Sequence, residues 1–171
     1  MRLFIAITVP NGLHNYCQQM QWRFEGLKKV NAFHLTLQFL GDDTKDPEPI
    51  MAALSQIQFK PFEIEMGDIV PFGPPTEPRG VWIECAKNKA LNALAAEIQA
   101  ALKLLGYKSD KPFMAHITLG RYKRFPGKVP QRAKGVPHHF MADHFELIQS
   151  HLGENGPQYK VLQKFFGKPQ K

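Results

Sequence analysis

The chain carries one pattern twice. An apolar stripe of Leu13, Tyr16, Cys17, Met20, Phe24 and Leu27 recurs 78 residues later as Leu91, Leu94, Ala95, Ile98, Leu102 and Leu105. Steps of 3, 4, 7, 11 and 14 put all six members of each set on one helix face. Asn11 and Asn88 stand where N-caps belong, and Gly106 where the second helix should stop. The offset extends to β-prone flanks: residues 4–9 match 82–87 upstream, and residues 62–70 match 140–148 downstream. Amphipathic helices resemble one another by chance, but that does not explain flanking strands in matching places, so the spacing implies an internal duplication.

A half of about 80 residues built from β, α and further β segments suits an antiparallel sheet covered by helices. The expected fold is therefore α+β and bilobal: two antiparallel β-sheets flanked by helices, related by a pseudo-twofold axis, with an active-site cleft between the lobes. The 171 residues form one domain, with lobe one at about 1–75, lobe two at about 76–171 and strands exchanged between them. Pro71, Gly73, Pro74, Pro75, Pro78 and Gly80 read as a crossover loop between the lobes. A helix around residues 49–58, with Ile50, Leu54 and Ile57 on one side, decorates the first lobe only. Its counterpart, the Pro/Gly-rich basic segment 125–137, reads as a loop.

Apolar runs stop at seven residues, as at 3–9, far short of the roughly 18 to 20 a bilayer crossing needs, so no membrane partner is expected. That first run ends at Pro10 without a small-residue cleavage pattern, which places the chain in the cytoplasm. Cys17 and Cys85 are too few for a disulfide framework or zinc cluster and read as buried thiols. For a basic protein of this size a monomer is the default. Of the +7 net charge, residues 103–134 carry more than all, with nine Lys and Arg against Asp110 alone. Such a stretch is either a solvated basic face or a polyanion surface.

The third element of each half holds the chemistry: His34-Leu35-Thr36-Leu37-Gln38-Phe39 in the first and His116-Ile117-Thr118-Leu119-Gly120-Arg121 in the second. With 7 His in 171 residues, the pattern His-x-Thr-Leu is expected only about 0.02 times by chance. Strand alternation sends His34 and Thr36 to one face and Leu35, Leu37 and Phe39 to the other, and likewise pairs His116 with Thr118 above Ile117 and Leu119. Across a pseudo-twofold axis the two pairs converge. Two imidazoles flanking a cleft can act as acid and base near neutral pH, the arrangement that in-line displacement at phosphorus requires. Each threonine hydroxyl can donate to a phosphate oxygen, and Arg121 can supply a bidentate contact. Strict alternation points Arg121 away from the histidine face, and Gly120 is where a bulge could redirect it.

These motifs resemble those of the 2H phosphoesterases, and within them the RNA 2′,3′-cyclic phosphodiesterases, also called 2′-5′ RNA ligases. The resemblance runs from Arg2-Leu3-Phe4-Ile5-Ala6-Ile7 through both His-x-Thr-Leu motifs, Phe39-Leu40-Gly41 and Pro112-Phe113 to Ser150-His151-Leu152, Gly156-Pro157-Gln158-Tyr159 and Leu162. It implies opening of 2′,3′-cyclic phosphates at RNA 3′ ends to 2′-phosphates without a metal or other cofactor. His34 would then be the proton donor to the leaving 3′ oxygen and His116 the acceptor that activates water. A 5′-hydroxyl in place of water would give reversible 2′-5′ ligation. The expected partners are RNA with cyclic phosphate ends, tRNA fragments among them, and cyclic nucleotides.

Two other readings stay open. One is a non-catalytic RNA-binding module using the basic segment and aromatics such as Tyr122 and Phe125. The other keeps the chemistry and changes the substrate to another cyclic phosphate or a 2′-5′ oligonucleotide. His138, His139, His144 and His151 could suggest a metal site, but no Cys or paired acidic motif completes a ligand set there, so no metal is expected.

Overall fold

The two motif strands meet at the centre of the fold. In the computed structural model, which describes residues 1–124 and 126–169, Leu35 of β3 (His34–Gly41) lies antiparallel to Ile117 of β6 (His116–Tyr122). Each is the residue after its motif histidine, and pairing equivalent residues antiparallel is what a local twofold axis produces. On one side of this junction β3 continues to β1 (Arg2–Thr8), β8 (His144–Gly153) and β9 (Gly156–Phe166). On the other, β6 continues to β5 (Gly80–Cys85), β4 (Phe62–Phe72) and β7 (His138–Ala142). The two expected antiparallel sheets thus join at one residue pair into a continuous curled order. A short strand β2 (Leu27–Lys29) adds to β6.

Strands from the two halves of the sequence interleave: β4 pairs with β5, and β8 with β1. The helices cross in the same way. Helix α1 (His14–Gln21) packs on β6, and α3 (Lys89–Lys103) on β3 and β4. Helix α2 (Glu48–Ser55) lies on α3 and β9 and buries Ile50 and Leu54, as its apolar spacing requires. Alternation along β1 separates the two faces of the sheet. Leu3, Ile5 and Ile7 enter the core beneath the helices, whereas Phe4 and Ala6 meet Ile148 on the opposite, inner face. Among the described residues no helix is long and apolar enough to cross a membrane.

The duplicated stripe forecasts burial better than it forecasts helix. Helix α3 follows it from Leu91 to Leu102; Asn88 caps it by accepting the Leu91 N–H at 3.0 Å, and Gly106 takes φ +92° just beyond its end. Leu105 falls outside the helix and is partly exposed. Helix α1 stops at Gln21, although Phe24 and Leu27 of the same stripe are buried. Gly26, at φ +77°, turns the chain so that Leu27 can pair with Tyr122 in β2, and strand pairing against β6 replaces the last helical turn. Asn11 is not a cap: it opens a short 3₁₀ turn, with Pro10 in the capping position.

Two further expectations are corrected. The Pro/Gly segment 73–79 closes the β4–β5 hairpin, with the Arg79 N–H on the Phe72 carbonyl at 2.8 Å, and the chain crosses earlier, between α2 and β4. Residues 140–148 are not one strand matching β4, because Asp143 divides them between β7 and β8. Residues 126–137 form no strand or helix apart from a lone bridge of Ala133 to Ile69. Phe125, placed by sequence with Tyr122 as a stacking aromatic, lies outside the described residues. Both cysteines are free, and burial pushes each thiol up to about 12.

Candidate active site

Two equivalent bulges aim the side chains of the site. In β3, Thr36 pairs with Ala6 and Gln38 with Ile5, leaving Leu37 as an extra residue. In β6, Thr118 pairs with Trp82 and Gly120 with Val81, leaving Leu119 extra. One inserted residue reverses the side-chain alternation beyond it. Arg121 therefore returns to the face of His116 and Thr118, and the bulge that does this is at Leu119, one residue before the expected Gly120. The same inversion overturns the placement of Phe39 in the core: it is 60% exposed and shares the face of His34 and Thr36. Phe39 and Arg121 hold the same place in their motifs, five residues after the histidine.

The local packing makes the second bulge durable. The Leu119 carbonyl accepts from the buried Gln21 Nε2 at 2.8 Å and from the Val30 N–H at 3.1 Å. Gly120 allows β2 to press against the strand there, since a Cβ would stand 2.5 Å from the Lys28 carbonyl oxygen.

On the inner face lies a cavity of about 340 Å³ lined by His34, Thr36, Thr118 and Arg121, together with Arg2, Phe4, Lys28, Lys29, Phe39 and Tyr159. Its size falls in the range of small-molecule sites. The fifth expected residue, His116, is not among those lining it. It precedes Thr118 by two residues on the same strand face, and its ring stacks on Trp82 at 3.9 Å between centroids, with Phe72 on Trp82 in turn at 4.6 Å. Its Nδ1 lies 2.7 Å from the Met114 carbonyl. A carbonyl can only accept, so Nδ1 carries the proton and Nε2 keeps a free lone pair.

His34 stands in an aromatic collar: the Tyr159 ring is 5.0 Å away and Phe4 5.5 Å, both near edge-on. Burial lowers the pKa of His34, opposed by the charge of Glu146 and reinforced by His14. Burial also lowers the pKa of His116; the Met114 hydrogen bond opposes this, and the positive charge of Arg121 adds to it.

Sequence reasoning assigned no role to Trp82, Tyr159, Lys28 or Lys29. The two lysines adjoin the cavity because β2 pairs with β6, a contact that no periodicity announces. Of the nine basic residues between 103 and 134, only Arg121 lines the cavity, and Arg132 is tied to Glu84 at 2.7 Å and Asp68 at 3.2 Å. The late histidines are dispersed: His138 packs on Tyr16, His139 lies near Glu63 and Glu65, and His144 sits between Asp143 and Glu146. Among the described residues no three potential ligands converge as a metal would need.

Comparison with known proteins agrees with this architecture. Residues 10–154 match the sequence model of the 2′-5′ RNA ligase superfamily. The chain is 33% identical to a protein of Archaeoglobus fulgidus named RNA 2′,3′-cyclic phosphodiesterase, over 96% of this chain and 99% of that one. It is 31% identical to a Bacillus subtilis protein of the same name, over 95% and 94% of the two chains. Among solved structures, a Thermus thermophilus protein superposes with a TM-score of 0.85 at 29% identity over the whole of both chains. Escherichia coli LigT complexed with 3′-AMP shares the fold, with a TM-score of 0.84 at 24% identity over 97% of each chain. With the duplicated sheet, both His-x-Thr-Leu strands and a match over most of its length, the chain belongs to the 2′-5′ RNA ligase superfamily.

Proposed function

We propose that the protein hydrolyses 2′,3′-cyclic phosphates at RNA 3′ ends to 2′-phosphates, with His34 as general acid and His116 as general base and no metal in the chemical step. The observation that carries this reading is the pair of bulged motif strands, which bring His34, Thr36, Thr118 and Arg121 to one cavity. The names of the relatives, RNA 2′,3′-cyclic phosphodiesterase, support the substrate class.

The steps follow from the side chains. Water attacks phosphorus from the His116 side and gives a proton to Nε2, the nitrogen left free by the Met114 contact. The P–O3′ bond breaks in line, and His34 delivers a proton to O3′, so the phosphate stays on O2′. Thr36 and Thr118 hydroxyls and the Arg121 guanidinium hold the non-bridging oxygens, whose charge is greatest in the transition state. His116 reaches the phosphate past Thr118, while the aromatic collar keeps bulk water from His34. A 5′-hydroxyl in place of water would form a 2′-5′ linkage by the same proton transfers.

An RNA bearing a 2′,3′-cyclic phosphate, incubated with the protein in excess chelator, should lose the cyclic end at the rate seen without chelator. Activity abolished by chelator and restored by zinc or manganese would sink the metal-independent reading.

RNA beyond the reacting phosphate should run over Lys28 and Lys29, the basic residues that β2 adds to the cavity. Neutralising several phosphates releases counterions, so KM for an oligonucleotide should rise steeply with salt, while KM for a cyclic mononucleotide changes little. Replacing Lys28 and Lys29 by Gln should flatten the oligonucleotide's salt response. Replacing Lys123, Arg124 and Lys128 should alter it less, and the reverse ranking would return the RNA path to the basic segment.

A further inference from the structure

We propose that Glu146 is a positioning residue for the proton on His34: its buried carboxylate lies across β1 from the histidine and favours the imidazolium that a general acid must be. The inference rests on the acid role assigned above to His34.

The ladder fixes the geometry. Strand β1 runs between β3 and β8; Thr8 is opposite His34, Ala6 is opposite Thr36 on one side and Glu146 on the other. Paired residues of neighbouring strands share a face, so Glu146 stands on the face that carries His34 and Thr36. Thr8, opposite His34 in the ladder, donates from Oγ1 to Glu146 Oε2 at 3.2 Å. Glu146 is 4% exposed, and a carboxylate so withdrawn from water is costly unless its surroundings need it or satisfy it.

Its surroundings satisfy it only in part. His144 Nε2 lies 3.0 Å from Oε1, but its Nδ1 is 2.6 Å from Asp143, so one imidazole serves two carboxylates. Lys164 opposes Glu146 on β9, and both border a second cavity of about 320 Å³ that also includes Thr8, Asp143 and His144. The charges that act on His34 are those of Glu146 from β8 and His14 from α1, and the rings packed on it are Tyr159 from β9 and Phe4 from β1. Of these, Glu146 alone offers negative charge to an imidazolium, and its effect opposes that of burial.

The other motif is arranged differently. Asp68, 78 residues before Glu146 and on β4, and Glu84, opposite His116 on β5, are both held by Arg132, at 3.2 and 2.7 Å, and Arg121 adds positive charge near His116. The duplicated frame thus sets a carboxylate that shares its His144 partner with Asp143 on the side of His34, and arginine-paired carboxylates on the side of His116. This asymmetry gives the acid and base their separate tasks.

The test follows the His34 ring by NMR titration, beside the pH dependence of kcat/KM. Glu146→Gln, whose amide oxygen can still accept from His144 while its NH2 meets the Thr8 hydroxyl as acceptor, should lower the His34 pKa by about half a unit or more. It should move the high-pH limb down equally and leave the low-pH limb in place. Glu146→Asp should preserve most of the wild-type profile. In the unsubstituted protein the Glu146 carboxyl ¹³C resonance should shift through the His34 titration. An indifferent carboxyl resonance, or an unchanged His34 titration in folded Glu146→Gln, overturns the proposal. If either result accompanies an inactive His34→Ala enzyme, only Glu146 loses its role. An active His34→Ala enzyme would instead remove the acid assignment itself.

Discussion

Replacing His34 or His116 by alanine is expected to lower turnover of a 2′,3′-cyclic nucleotide by about 100-fold or more in each case, since a positioned general acid or base contributes about 10² to 10⁴. The histidines act on opposite ends of one displacement, so the double variant should be little worse than the poorer single one. The pH profile of kcat/KM should be bell-shaped. His34 must be protonated, so activity falls as pH rises through its pKa; His116 must be neutral, so activity falls as pH drops through its own. Burial lowers both in the free protein, which places both limbs below their positions for an ordinary histidine near 6.5. A bound phosphate anion favours both imidazolium forms, so the kcat profile should lie at higher pH than that of kcat/KM. A single histidine variant with wild-type turnover would contradict the mechanism.

Arg121 carries the second large effect. Arg121→Ala should reduce kcat/KM by about 100-fold, the scale for loss of one donor to a developing oxyanion. Arg121→Lys should recover only part of this, because a point charge cannot reproduce a planar two-pronged contact. The guanidinium lies 5.4 Å from the centroid of the Phe72 ring, which limits its swing. A ligand-bound structure with Arg121 directed away from phosphate, or an Arg121→Ala enzyme with unchanged kcat/KM, would remove it from the site.

The duplication was readable because helical and strand periods survive in the amino-acid order: α3, the motif strands and the buried stripe all follow from spacing. Arg121 shows the limit of that reading. Its direction depends on one unpaired residue, Leu119, and nothing in Leu119 itself distinguishes a bulged leucine from a paired one. What stabilises the bulge is Gln21, 98 residues away in sequence. Alternation misplaces Phe39 for the same reason, since a period-two pattern cannot register an insertion in the ladder at Leu37. The cavity walls were equally hidden, as Phe4 and Tyr159 reach His34 from strands at opposite ends of the chain. Lys28 and Lys29 leave no signal in the sequence, because a three-residue strand is too short to show a period.

In the mechanism we propose, His34 stands against the leaving oxygen and His116 on the side of the attacking water, and that choice fixes which phosphate ester survives. Opening a 2′,3′-cyclic nucleotide with the protein in excess chelator and identifying the product by ³¹P NMR tests that placement most directly. The account predicts the 2′-phosphate as the product. Accumulation of the 3′-phosphate would contradict it.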